Sequence, residues 1–345
     1  MTDDIDEAGR RMFLVPGGSD AGEIAYRPLG GRRIHALAHG SPGKRELLVH
    51  GEHLYWSDTD DGSLTRIHKH GGVPVVIATD QRGIGPIAIA DGCVTWGRHY
   101  LYGNDGLYRM PLEGGEPRLI RRGRVDALAV LGDAVAWTSI ELDGLGSVHL
   151  TRTSDGMTVP LAAWEKLPRS VVLDDDDVYW ASYGQSDPRY FEDGSVARAS
   201  RTLLADRAVL AHDRSMPSSL VLDGDAATGA LYWCEAQTTY GPGPWMPGRI
   251  WRRDRATGAA RALCAWREQD GVIAVDATHV YFLASFGGSM WRVSKDGGEP
   301  EPLLAPARDR MLWSTDLAVD DQFVYSRQRF CVNENRLARS RRLLE

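Results

Sequence analysis

No run of apolar residues in this chain is long enough to cross a bilayer. No secretory leader is expected either: Met1 to Glu7 is acidic where such a leader is basic and then apolar. These absences set the expectation of a cytoplasmic protein that does not bind membranes. Cysteine is scarce. Cys93, Cys234, Cys264 and Cys331 lie far apart and never form a C-x-x-C pair, which suits neither a zinc knuckle nor a disulfide framework. Buried, reduced thiols are expected. Positive charge is in deficit, with 40 Lys and Arg against 47 Asp and Glu and a net charge of −7. A general nucleic-acid binder wants a basic face, so that class is set aside. The basic stretch from Arg336 to Arg342 reads as a solvated edge.

Catalytic signatures are also missing. There is no H-E-x-x-H and no G-x-S-x-G. The acidic run Asp174 to Asp177 lacks the glycine and distal glutamate of an EF-hand loop and reads as a solvated turn. No ligand spacing argues for a metal, and no cofactor is expected. Helical periodicity of note is absent, and no linker marks off a second domain.

The chain does hold a repeat. Its clearest copy runs from Val272 to Phe282, then Gly288 to Pro300, then Pro302-Leu-Leu304: three alternating apolar runs and a shorter fourth. Asp, Gly and Pro fill the turns, as β-hairpins require. Related text begins at Leu47, Ile87, Leu128, Val171, Leu220 and Leu317. Trp56, Trp96, Trp137, Trp180, Trp233, Phe282 and Tyr325 mark the period in the second run of each copy. A four-stranded sheet with two apolar faces cannot cover both alone, so it packs against its neighbouring copies. Closing the series into a ring protects its edges. An all-β propeller of four-stranded antiparallel blades is therefore expected over residues 22–345, with 1–21 as a loosely packed tail. Six copies look complete, and the C-terminal one ends after a third strand at Leu337-Ala-Arg339. Gly22 to Ala38 reads as a third and fourth strand, so the two ends are expected to share a seventh blade. Met12 to Val15 leaves an eighth open.

The hairpins "VD-x-x-x-VYW" and "GS-h-x-R-h-x-K-x-GG-x-P", with h apolar, resemble bacterial β-propeller repeat proteins of the YWTD and DUF5050-like type. The resemblance covers nearly all of residues 22–345. It implies the fold but says little of function, because this architecture carries receptors, scaffolds, lyases and hydrolases. The P-x-G-I-T and W-F-T text of streptogramin-lyase propellers is absent, so that activity is not implied.

Propeller ligands commonly bind at one mouth of the central channel, among the loops entering the innermost strands and those joining second to third strands. Two residues past the marker aromatics stand Asp58, Arg98, Ser139, Ser182, Glu235, Ala284 and Arg327. Period-two alternation puts them on the aromatic's side of the strand, nearer the mouth. They read either as solvated, paired charges or as a polar ring round a pocket. Three second-to-third loops are long and carry His99, Tyr100, Tyr183, Arg189, Tyr240 and Trp245. Trp164, Trp266 and Trp313 precede inner strands, as packing over the mouth or as an aromatic wall. Two functions follow. One is a monomeric binding or scaffold propeller, with a small-molecule ligand or a protein partner at the mouth. The other is a small-molecule lyase, hydrolase, isomerase or cyclase. In it His99, Asp58 and Glu235 would move protons and an arginine would stabilise developing charge.

Overall fold

The computed structural model describes residues 22–28, 35–40, 44–98, 105–184, 193–202, 206–236, 247–266, 271–284, 289–304 and 311–331. These form seven four-stranded antiparallel sheets and no helix. Six blades are continuous in the chain: 44–78, 84–122, 127–166, 168–214, 218–266 and 271–304, numbered one to six. The first strands of successive blades touch one another, so they line the channel. Blade seven closes the ring. Its inner strands, Met311–Val319 and Phe323–Cys331, come from the C-terminal part, and its outer strands, Gly22–Pro28 and His35–Gly40, from the N-terminal part. The innermost strand of blade seven touches that of blade one, Lys44–His50.

The shared blade and the count of seven agree with the repeat. One assignment does not. The third strand of blade seven is Gly22–Pro28, paired from Gly22↔Arg329 to Pro28↔Phe323, and not Leu337 to Arg339. A strand has two edges, and both edges of Phe323–Cys331 are already taken. Residues 332–345 and 12–15 lie outside the described residues.

The repeated text builds its own turns. Asp276 Oδ1 accepts the backbone N–H groups of Thr278 and His279 at 2.6 and 2.7 Å, and Oδ2 accepts the Tyr281 hydroxyl at 2.7 Å. Asp320 serves Gln322, Phe323 and Tyr325 in the same way. Asp174 caps Asp176 and Asp177, so the acidic run is a turn of this kind. The paired glycines of the last hairpin hold φ of 97° and 128° at Gly71 and Gly72, where a Cβ would be strained.

Alternation then stitches blade to blade. Trp233 faces backward onto Tyr179 and Ala181 of blade four, while Tyr232 and Cys234 face forward onto Ile273 and Phe282 of blade six. Trp180 packs backward on Ala136 and Val148, and Trp56 on Tyr325. Each such side chain buried is worth roughly 1.5–3 kcal/mol. At the turn end the residue after the third strand reaches the turn of the preceding blade. Lys295 meets Asp223 at 2.6 Å, Lys69 meets Asp320 at 3.7 Å, and Arg255 pairs with Asp174.

Trp233 is wholly buried. Its replacement by alanine is expected to cost about 3–5 kcal/mol in chemical denaturation. A loss below about 1 kcal/mol would mean that this seam does not carry blade packing.

Candidate functional site

Backbone bonds confirm which loops share an end. Gln81 N–H donates to Gly62 O at 2.8 Å, Tyr183 N–H to Leu167 O at 3.0 Å, and Ala236 N–H to Ser215 O at 3.1 Å. The first joins a second-to-third loop to the segment entering the next blade, and the other two join such a loop to the segment entering its own blade. This is the expected mouth.

The register corrects one residue of the ring. Tyr325 bonds the aspartate five residues before it, as Tyr281 does, so it matches Tyr281 and not Phe282. Ser326 takes the place of the tryptophan, and the place two beyond falls on Gln328 instead of Arg327. The wider ring also changes meaning. Its place continues the backward-facing side of the second strand, and Ser182 and Glu235 there enter the seams between blades. Asp58 is 2% exposed and caps its own turn, accepting from Asp60 N–H at 3.0 Å. Ser182 donates to Glu165 of blade three at 2.7 Å. Arg98 donates to Arg82 O at 3.2 Å and lies 5.0 Å from the Tyr108 ring centroid.

Glu235 is 4% exposed and sits in the seam between blades four and five. It accepts from Trp233 Nε1 at 3.3 Å and has Arg214 at 3.7 Å. Arg214 lies 4.8 Å over the Trp251 ring, which stacks on Trp233 at 5.8 Å. Burial pushes the Glu235 carboxyl above the usual carboxylate range, against the pull of the Trp233 hydrogen bond and Arg214. Cys234 beside it is buried, with Sγ 3.1 Å from Gly271 O. Trp266 ends the outermost strand of blade five and is 6% exposed. Its indole N–H donates to Glu235 O at 3.0 Å and its ring meets Phe282 edge-on, so it seals a seam.

Trp164 is different. It lies inside the outermost strand of blade three, Thr158–Lys166, as the extra residue of a β-bulge between Ala163 and Glu165. Its φ is +63° and its side chain is 79% exposed. Leu167, three residues on, has φ of +52°. Left-handed backbone costs of order 1–3 kcal/mol at a bulky residue and persists only where the surroundings hold it. Here the holder is Glu165, buried between them, which accepts from Ser182 and pairs with Arg207 of blade four. Next along, the exposed Arg169 lies 5.1 Å from the Tyr183 ring centroid, and Lys166 meets Asp193 at 2.7 Å. Leu167 joins these groups into one sector between blades three and four.

Sequence reading missed Glu165, Lys166 and Arg169. It also missed that the innermost strands carry bulges at one level in blades one, two, four, five and seven. They fall at Glu46, Gly85-Pro86, Arg169, Ser219-Leu220 and Thr315. Bulges re-aim side chains and gather near functional sites. The only written trace is a Pro or polar residue where apolar text should continue. Trp313 lies within the innermost strand of blade seven, and Arg327 in its second strand. His99, Tyr100, Arg189, Tyr240 and Trp245 lie outside the described residues. Among the described residues, no three His, Cys, Asp or Glu side chains are placed to hold a metal.

No protein-family model matches this chain, and no curated protein does. Solved structures do. A chain of a nidogen/laminin complex is 18% identical, with 70% of this chain and 88% of that chain covered and a TM-score of 0.51. A TolB candidate from Agrobacterium tumefaciens is 14% identical, with 91% and 100% covered and a TM-score of 0.50. Hydrazine synthase of Kuenenia stuttgartiensis is 11% identical, with 74% and 77% covered and a TM-score of 0.57. Likeness at these identities is likeness of fold. The propeller part of the expected resemblance holds, while its DUF5050-like refinement has no matching model.

Glu235 has a stability consequence. Its folded pKa is raised, so the folded state holds the proton more tightly than the unfolded state. Stability should therefore fall as pH climbs from the ordinary glutamate range through the raised value. Denaturation midpoints measured across that window should lose this decline in Glu235→Gln. An unchanged pH profile in the variant would refute the assignment.

Proposed function

We propose that this chain is a binding or scaffold propeller that recognises a ligand or protein partner at the mouth, centred on the sector between blades three and four. The observation that carries this reading is Trp164, held outward on a left-handed backbone by the buried Glu165. A purely structural position has no use for a strained, solvent-facing indole. Trp, Tyr and Arg dominate the energetics of recognition surfaces, and Trp164, Tyr183 and Arg169 are those three types. The rigid blades fix them in place, which limits the ordering cost of binding. That one similar chain comes from a nidogen/laminin complex is in keeping with a protein partner.

Acid–base chemistry at the same mouth is the competing function. Two of its proton carriers are engaged elsewhere: Asp58 caps a turn, and Glu235 is shut in a seam with two tryptophans and an arginine. Binding needs neither to be free, so it stands first.

Trp164 gives the test. Trp164→Gly relaxes the backbone and should leave stability unchanged or raise it by up to about 1 kcal/mol. The same variant, and Tyr183→Ala, should each weaken binding of a cross-linked and then purified partner about tenfold or more. Affinities equal to that of the parent protein in both variants would defeat the proposal. A large stability loss in Trp164→Gly would show that the indole serves the fold.

A further inference from the structure

The other end of the molecule carries a second departure from the repeat. In the third strand of each blade, one residue pairs with the apolar residue just before the Tyr-Trp position. In five blades it is Ile67, Met110, Thr151, Ala199 or Val293, all 1% exposed or less. In blade five it is Arg253, opposite Leu231. Blade seven also has an arginine there, Arg27, but its guanidinium reaches the Leu303 carbonyl across the seam. A guanidinium has replaced a small seam-filling group, and the seam between blades four and five holds a cavity of about 440 Å³.

Two walls face each other across it. Blade four supplies Tyr179, Arg198 and Leu210, and blade five supplies Leu231, Arg253 and Arg255. The charges are unequally satisfied. Arg198 binds both Asp177 oxygens, at 2.9 and 3.0 Å. Arg255, 7% exposed, pairs with Asp174, yet its buried Nε donates to nothing among the described residues. Arg253 donates to the Gly258 carbonyl and has no carboxylate within ion-pair distance among the described residues. Two leucines and the Tyr179 ring add an apolar side.

We propose that this seam is a binding site for a small organic oxyanion, a phosphate ester or a carboxylate. The anionic head sits against Arg253 and Arg255, and the body lies on Leu210, Leu231 and Tyr179. Guanidinium forks match both oxyanions bidentately, and the volume suits a small metabolite. The Arg255–Asp174 pair spans the same seam, so a ligand here stiffens the junction of two blades. The site is far along the strands from Trp164 and does not depend on the mouth reading.

Thermal melting at matched ionic strength tests it, since a ligand that binds only the folded state raises Tm. Pyrophosphate or citrate at about 10 mM should raise Tm by about 2 °C or more over chloride. A response to pyrophosphate alone assigns phosphate esters, and to citrate alone carboxylates. Arg253→Val installs the residue of blade six and should melt no lower than the parent protein while losing the shift. Arg253→Gln, which keeps a polar group for the Gly258 carbonyl, should lose it too. Trp164→Gly should keep it. The proposal is overturned if neither anion exceeds chloride on the parent protein, or if both Arg253 variants retain the full shift.

Discussion

Every part of this protein depends on one constraint: a four-stranded sheet with two apolar faces needs a neighbour on each side. The marker tryptophans meet it backward and the preceding tyrosines meet it forward, because consecutive residues of a strand point to opposite faces. A linear stack would leave two faces in water. The ring removes both, provided that a blade joins the first repeat to the last. The N-terminal and C-terminal parts of the chain supply that blade together, so closure is a hydrogen-bonded clasp as well as a packing contact.

The same constraint decides where polar groups can go. A carboxylate in a seam is taken out of water, and it must find donors or shift its pKa. Asp276 and Asp320 find donors in their own turns. Glu165 finds a serine and an arginine. Glu235 finds too little, and its carboxyl is pushed up. Arg253 finds one carbonyl beside a cavity. The unusual polar and exposed positions of this propeller are places where the seam is incompletely filled, or where filling it forces a neighbour outward. Trp164 is the second kind: burying Glu165 between two left-handed residues leaves the indole in solvent.

Fold was legible because its signal repeats. A tyrosine five residues after an aspartate means little once, but several copies in one chain define a turn, a strand pair and a seam. The register that this supplied placed the loops at their proper ends and located Asp58, Ser182 and Glu235 correctly along their strands. It slips at blade seven, where Ser326 stands in the tryptophan's place and the marker falls on Tyr325, one residue early, and where the third strand is Gly22–Pro28 and not Leu337 to Arg339. The cost of that slip was Arg327 in place of Gln328. The ring's orientation was harder to read. Alternation says which residues share a side, but not whether that side meets the channel or the next blade.

The sequence by itself determined the blade, its turns and the sharing of the last one, because local spacing and alternation decide these, while the count of seven over eight came with the closed ring. Only the tertiary structure decided which polar residues face each other. Glu165 with Ser182 and Glu235 with Arg214 are contacts between different blades, and Arg253 faces Tyr179 and Leu210 across a cavity between two blades. No spacing within one repeat encodes them, since each depends on how two sheets twist and settle together around the ring.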